Sequence, residues 1–147
     1  MAALHSDNVV WDAVKAHHCR IRKSHGIVLS GEAGNLTNKH AFKFSGFANK
    51  KTLDVNATDG SAKYTFPVAL RASTPKNANK PGKAAETVVL AKGGFARGAA
   101  NIRKYSSGRC FRADLERAAL ARYTALVRGA TPARKGVAQK KAGRRRR

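Results

Sequence analysis

The sequence contains few acidic residues. Its 147 residues include 8 Asp and Glu against 30 Lys and Arg, which gives a formal net charge of +22 and a pI near 11.2. More than half of the cations lie between Arg97 and Arg147, where only Asp114 and Glu116 oppose them. A solvated surface normally mixes both signs, so this imbalance indicates a polyanionic partner, most commonly a phosphate backbone. The scattered acids form no carboxylate pair suited to acid–base catalysis, and we predict that the protein is not an enzyme.

Cysteine and long apolar runs are also scarce. Cys19 and Cys110 are the only cysteines, too few and too far apart in the chain for a disulfide framework. No apolar run approaches the roughly 18–20 residues of a membrane span. The N-terminus lacks the apolar segment of a secretory signal, and Asp7 and Asp12 argue against a transit peptide. We therefore expect a cytosolic or nuclear protein that has no membrane partner.

The 42% of apolar residues overestimates the size of the hydrophobic core, because many of these residues are alanine. We expect one small domain at residues 6–130, a short extension at residues 1–5, and a basic tail at residues 131–147 that is disordered when free. Within the domain, residues 73–83 combine proline, glycine, asparagine and lysine, which predicts a basic surface loop. Much of the chain is therefore expected to lie against a partner.

The first half of the domain predicts one helix and a small antiparallel sheet. Apolar residues at helical spacing follow a capping residue over 6–18, with Trp11 as the anchor of the apolar face. Apolar or alternating segments predict strands at 26–29, at Phe42 and Phe44, at 52–55 and at 64–70. Asp59-Gly60 predicts a hairpin turn before the last of these strands. Residues 87–90 are too short to assign.

The second half predicts two amphipathic helices, at residues 95–105 and 113–128. In the longer helix the apolar residues share one stripe: Leu115, Ala119, Leu120, Tyr123, Leu126 and Val127. Gly129 predicts a C-cap, and Pro132 is expected to prevent continuation. The predicted fold class is therefore α+β, with a small antiparallel sheet, an N-terminal helix, C-terminal amphipathic helices and a basic extended tail.

Neither a metal nor a cofactor is predicted. His17, His18, Cys19 and His25 are close in sequence, but consecutive histidines on a helix point about 100° apart and no C-x-x-C pair accompanies them. The glycine-rich segment 92–98 lacks the closing Gly-Lys-Ser/Thr of a phosphate loop, which favours a flexible helix start. We accordingly expect no small-molecule substrate.

Basic clusters recur over the whole chain, which suits a protein embedded in folded RNA. Phosphate contacts carry no sequence information, but Arg and Lys fit structured RNA by its shape. Two alternatives remain. A histone-like or nucleolar DNA-binding protein is disfavoured by the predicted sheet and by the lack of a dimerising helix pair. A small RNA-processing enzyme is disfavoured because no acid–base constellation supports it.

Three segments resemble a known family in their order and spacing. Residues 35–47 read NLTNKHAFKFSGF and are followed by KKTLDV at 50–55, while residues 111–122 read FRADLERAALAR. Together with a helix that carries Trp11, they resemble the eukaryote-specific large-subunit ribosomal protein family numbered twenty-eight, over roughly residues 6–130. The Arg-rich end of the chain lies outside the resemblance.

The resemblance implies a small α+β domain with a structural role in translation. By resemblance, the chain binds large-subunit ribosomal RNA in the cytosolic ribosome and contacts neighbouring ribosomal proteins, without forming a homo-oligomer. It would pass through the nucleus and nucleolus during assembly. A related segment in a nucleolar assembly factor leaves ribosome assembly as the alternative role.

The candidate RNA-binding residues are chosen by charge and position, because they flank the sheet, precede the last helix, or lie on it or beyond it. They are Lys43, Lys50, Lys51, Arg103, Lys104, Arg109, Arg112, Arg117, Arg122, Arg134 and Lys135.

Overall fold

The computed structural model describes residues 5–57, 68–74, 80, 83, 85–90 and 94–135, with side chains up to residue 130. The elements in chain order are α1 (Asp7–Val14), β1 (Ile21–Ser24), β2 (Ile27–Ser30), a 3₁₀ turn (Phe42–Phe44), β3 (Thr52–Ala57), β4 (Val68–Ser73), β5 (Ala85–Val89), α2 (Gly94–Arg103), a π-helical turn (Lys104–Gly108), a second 3₁₀ turn (Ala113–Leu115) and α3 (Glu116–Lys135). The predicted α+β class is confirmed. In this part of the chain no helix is both long enough and apolar enough to cross a membrane.

The N-terminal part consists of α1 and a two-stranded hairpin. Helix α1 ends at Val14, short of the predicted end at residue 18, and none of its residues is buried. Its Trp11 ring lies 5.0 Å from the ring of His40 and 5.9 Å from that of Phe42, between ring centroids. The predicted strand at 26–29 is β2, and its antiparallel partner β1 was missed because Ile-Arg-Lys-Ser has no apolar alternation.

The strand predicted at Phe42 and Phe44 is wrong. These residues form a 3₁₀ turn, in which the N–H groups of Phe44 and Ser45 both donate to the Ala41 carbonyl, at 3.0 and 3.1 Å. The Asn49 side chain closes the turn by donating to the carbonyls of Phe42 and Ser45, at 2.7 and 2.8 Å. Such local side-chain bonds compete with sheet formation, and the period-two pattern does not report them.

The main sheet is antiparallel and has the strand order β3-β4-β5. The predicted strand at 52–55 is confirmed as β3, and its partner β4 starts at Val68, so the pairing predicted for Val68–Leu70 is present. Strand β5 covers most of the segment that was too short to assign. The Asp59-Gly60 turn, residues 64–67 and most of the loop 73–83 lie outside the described residues.

The core lies between this sheet and the two C-terminal helices. It is formed by Leu36, Leu53, Val55, Val68, Leu70, Ala72, Leu90, Ile102, Leu115, Ala119, Tyr123 and Val127. The stripe predicted on the last helix is confirmed at Leu115, Ala119, Tyr123 and Val127, all of which are buried. Helix α2 begins at Gly94, as the sequence indicates, but its predicted last residues 104–105 belong to the π-helical turn.

The predicted end of the last helix is wrong. Helix α3 passes through Gly129 and Pro132 and ends at Lys135, beyond the helix end predicted at residue 128. Gly129 lacks the positive φ that a left-handed cap requires. Pro132 removes one backbone donor, but the turns before it are held by the buried stripe, so packing outweighs this local stop signal. Residues 136–147 lie outside the described part.

Candidate nucleic-acid interface

The segment between α2 and α3 presents three predicted cations at the surface. The last turn of α2 widens into the π-helical turn, where the Ser106 hydroxyl donates to the Ile102 carbonyl at 2.9 Å. The Ser107 hydroxyl donates to the Arg103 carbonyl at 3.0 Å in the same way. These bonds occupy carbonyls that a helix end leaves unpaired. The turn thereby exposes Arg103, Lys104 and Arg109.

Arg109 stacks on a tyrosine. Its guanidinium carbon lies 4.2 Å from the centroid of the Tyr105 ring, and Nη1 lies 3.7 Å from a carboxylate oxygen of Glu86. The Tyr105 hydroxyl donates a short hydrogen bond to the same carboxylate. Burial, and then the hydrogen bond and charge of Glu86, raise the pKa of Tyr105. Arg109 is therefore oriented while its side chain remains 53% exposed.

A cleft of about 320 Å³ lies beside this stack. It is lined by Ala72, Thr74, Lys83, Ala85, Glu86, Tyr105, Arg109 and Phe111. The cleft combines two cations and two aromatic rings with the carboxylate of Glu86, and such cations and rings are the groups that bind phosphates and stack unpaired bases. Tyr105, Phe111 and Lys83 were not among the predicted site residues. The spacing of Tyr105 and Arg109 at i, i+4 was the available signal, because such pairs meet on a helical turn.

Arg112 joins two distant segments. Its Nη1 and Nη2 donate to the carbonyls of Lys51 and Lys43, both at 2.9 Å, and Nε lies 2.9 Å from Asp114 Oδ1. Burial opposes ionisation of Asp114, but the hydrogen bonds and charge of Arg112 outweigh it and lower the pKa of that carboxyl. The Arg112 side chain is only 15% exposed, so its donors serve the protein itself.

Arg112 thereby connects the main chain at Lys43 to the main chain at Lys51. Lys51 Nζ lies 5.9 Å from the centroid of the Phe111 ring, and Lys43 Nζ lies 5.9 Å from that of Phe44. Both lysines are exposed. Because Phe111 also lines the cleft beside Arg109, Lys51 and Arg109 both lie near this ring.

The remaining predicted cations differ in their surroundings. Lys50 Nζ lies 3.3 Å from an Asp7 carboxylate oxygen, and Arg103 Nε lies 4.0 Å from one of Glu116; both cations are exposed and both acids are half-buried. Arg117 is exposed on α3. Arg134 and Lys135 lie in the last turn of α3, and their side chains fall outside the described part.

Arg122 is bound to main-chain and side-chain oxygens from other segments. Its Nε donates to the Val55 carbonyl at 2.7 Å, and Nη2 donates to Asn56 Oδ1, also at 2.7 Å. Nη1 donates to the carbonyls of Asn35 and Leu36 at 3.0 and 3.1 Å. The guanidinium thus connects α3 to β3 and to the loop before the 3₁₀ turn. These donors of Arg122 are therefore directed at oxygens of the protein itself.

A second polar cluster, which sequence reasoning missed, lies in the N-terminal part. The Glu32 side chain is 1% exposed, and it accepts hydrogen bonds from the Ser30 and Ser45 hydroxyls at 2.7 and 2.8 Å. The N–H groups of Gly46 and Phe47 donate to it at 2.9 and 3.1 Å. Burial alone would raise the pKa of Glu32, but these four donors together lower it. A lone acid between small residues carries no pattern that could have revealed the cluster.

Comparison with known proteins supports the resemblance seen in the sequence. The model of the Ribosomal L28e protein family matches residues 9–129. The large ribosomal subunit protein eL28 of Dictyostelium discoideum is 36% identical over 75 residues, which are 51% of this chain and 57% of that protein. Its counterpart in Schizosaccharomyces pombe is 26% identical over 130 residues, which are 86% of this chain and 94% of that protein. The family match extends from α1 into α3, and the chain therefore belongs to the Ribosomal L28e protein family.

Proposed function

We propose that this chain is a structural constituent of the large subunit of the cytosolic ribosome, where it binds ribosomal RNA through Lys–phosphate and Arg–phosphate contacts and supports translation. Family membership over residues 9–129 is the observation that carries the proposal. The net charge of +22 supports the RNA contacts, because a chain with this excess is stabilised when phosphates neutralise it.

The RNA-binding surface is centred on the segment between α2 and α3. Its members are the exposed cations Lys43, Lys51, Arg103, Lys104 and Arg109, together with the cleft beside Tyr105 and Phe111. Arg109 is oriented by its stack on Tyr105, so less side-chain freedom is lost when it meets a phosphate. The aromatic rings of the cleft add a place where an unpaired base can stack.

Arg112 and Arg122 have a different role in this proposal. Their donors are directed at carbonyl and side-chain oxygens of the protein, so these two arginines hold together the segments next to the surface. Lys50 and Arg117 lie at the edge of the surface, with Lys50 already paired to Asp7. Arg134 and Lys135 would extend the contact along the end of α3.

The proposal includes the partners and location of the protein. Neighbouring ribosomal proteins and ribosomal RNA are its partners, it does not assemble with copies of itself, and it passes through the nucleolus while subunits are built. Family membership supports a structural and not a catalytic role. It does not favour the nucleolar assembly or histone-like alternative, since both relatives are named as large-subunit proteins.

Sedimentation tests the proposal directly. A tagged full-length chain, expressed in eukaryotic cells, should co-sediment with large subunits, whole ribosomes and polysomes, and remain bound at about physiological salt. Crosslinking in purified ribosomes should then join the segment 103–112 to ribosomal RNA. A chain restricted to nucleolar pre-ribosomal particles would indicate an assembly factor instead, and a chain that sediments free of ribosomes would refute the structural role.

A further inference from the structure

The buried Glu32 cluster contains two imidazoles that the RNA-binding role does not use. One nitrogen of His18, one nitrogen of His40 and one carboxylate oxygen of Glu32 lie within 4.8 Å of one another. Among the described residues, neither Nε2 of His18 nor Nδ1 of His40 has a hydrogen-bond partner, although both atoms are buried. The side chain of His18 is 8% exposed. Buried polar atoms are rarely left unpaired, so these two nitrogens need a ligand.

The carboxylate of Glu32 is oriented toward the unpaired nitrogens. Its Oε2 accepts three hydrogen bonds, from Ser45, Gly46 and Phe47, whereas Oε1 accepts one, from Ser30. The free acceptor capacity therefore belongs to Oε1, which lies 3.7 Å from His18 Nε2. The four donors fix the carboxylate and favour its ionised form, as outer-shell partners do for a metal ligand.

The two imidazoles differ in whether the unpaired nitrogen carries the proton. His40 Nε2 lies 2.9 Å from the Lys15 carbonyl, so Nε2 carries the proton and the lone pair of Nδ1 is available for coordination. His18 Nδ1 accepts the Arg20 N–H at 3.2 Å, which places the proton on Nε2. Coordination through Nε2 requires this proton to move to Nδ1 and the Arg20 bond to open. Metal binding at His18 therefore replaces one long hydrogen bond with a metal–nitrogen bond.

The part of the chain around the cluster contains few buried apolar side chains. In the described residues 5–50, the buried apolar side chains are Leu36 and Ala48 only. The three cluster residues come from three separate segments: the chain after α1, the end of β2, and the approach to the 3₁₀ turn. Units with so small a core commonly depend on a metal or another cross-link.

We propose that His18, Glu32 and His40 bind a Zn²⁺ ion that joins these three segments. Two imidazole nitrogens and a carboxylate suit zinc better than magnesium or calcium, which prefer oxygen ligands. Tetrahedral coordination at about 2.0–2.1 Å requires the ligand atoms to approach one another by on the order of 1 Å. A solvent molecule completes the coordination. The proposal is independent of the RNA-binding surface.

Cobalt substitution tests the site with a spectroscopic signal. The full-length chain is titrated with Co²⁺, and then with Zn²⁺, while visible absorption and far-UV circular dichroism are recorded. The wild-type chain should bind one tetrahedral Co²⁺ that Zn²⁺ displaces. His18→Gln and His40→Gln should weaken binding by roughly tenfold or more, whereas His17→Gln, an exposed neighbour, should match the wild type.

The outcomes separate the site from trivial alternatives. Persistence of the tetrahedral bands in His18→Gln or His40→Gln would place the metal elsewhere and refute the proposal. Absence of the bands from a folded wild-type chain would refute it too, and would leave a bridging water as the partner of the two nitrogens. If the metal-free chain is unfolded, acquisition of structure on adding Zn²⁺ supports the site, and no change on adding Zn²⁺ rejects it.

Discussion

Arg122 shows how a cation chosen by charge and position can have its donors occupied within the fold. By charge and helical position it looks like a phosphate ligand, yet its guanidinium binds oxygens from two separate segments. Nothing local in the sequence distinguishes it from Arg117 on the same helix, since the acceptors are contributed by residues about 65 to 90 positions away. Its partners exist only in the folded chain.

We predict that Arg122→Lys destabilises the protein by roughly 1–3 kcal/mol, because a lysine cannot satisfy all the oxygens that the planar guanidinium reaches. Arg117→Lys, an exposed change on the same helix, should alter the stability by less than about 0.5 kcal/mol. Urea unfolding of the full-length chain measures both. If Arg122→Lys left the stability unchanged but weakened binding to subunits, Arg122 would be an RNA contact and not a structural residue.

Glu32 makes a pH-dependent contribution to stability. Its pKa in the folded state lies below the ordinary value of 4.5, so its contribution is fully present above about pH 4.5 and is lost as the pH falls through the folded pKa. We predict that Glu32→Gln costs roughly 2–4 kcal/mol near pH 7 in the presence of a chelator, because the amide cannot accept from all four donors.

The difference between wild type and Glu32→Gln should shrink as the pH falls below about 4.5. Chemical denaturation across this range measures it, with Asp12→Asn, which disrupts an exposed pair with Lys15, as the control. A difference that stays constant down to the pH at which both proteins unfold would show that Glu32 acts by shape and not by charge.

At the scale of elements, α2 and α3 approach closely at a glycine. A Cβ on Gly98 would lie 2.1 Å from the Tyr123 hydroxyl oxygen and 2.6 Å from the ring carbon that carries it. Tyr123 is 1% exposed and stacks on Phe95 with ring centroids 5.3 Å apart, so it has no room to withdraw. Glycine has a low helix propensity, but Gly98 allows the two helices to pack.

We predict that Gly98→Ala destabilises the protein by up to about 2 kcal/mol, because overpacking costs about 1–3 kcal/mol and the gain in helix propensity offsets about 1 kcal/mol of this cost. Gly129→Ala is the matched control, since a Cβ there meets nothing within 4 Å inside the same type of element. It should stabilise by roughly 0.5–1 kcal/mol. Thermal unfolding of both variants checks the signs, and a stabilising Gly98→Ala would contradict the close approach.

At the scale of the whole molecule, the basic residues do not all have the same role. Some cations hold the fold, as Arg112 and Arg122 do, and others are paired with acids, as Lys50 is with Asp7. The exposed cations around the segment 103–112 are what we propose for RNA, and of these Arg103 and Arg109 also lie near the carboxylates of Glu116 and Glu86. Net charge alone therefore overestimates the number of phosphate contacts.

We predict that Lys104→Ala lowers the salt dependence of binding to large subunits, reducing the log–log slope by about 0.7–0.9, the value expected for one lost phosphate contact. Lys15→Ala removes the same charge from an exposed lysine that is paired with Asp12 at 2.7 Å, and it should leave the slope unchanged. Dissociation from purified subunits over a range of KCl concentrations gives both slopes. Equal slopes for the two variants would place Lys104 outside the RNA contact.

The sequence by itself determined the α+β class and the buried stripe of the last helix, because helical periodicity is a local property that survives in the fold, and its charge imbalance supports the class of partner that we propose. Its motifs also determined the family. Only the tertiary structure decided that Phe42–Phe44 forms a turn, that α3 continues past Gly129, and which cations face inward. It also brought together His18, Glu32 and His40. These outcomes depend on hydrogen bonds and packing between residues far apart in the chain, which no local pattern encodes.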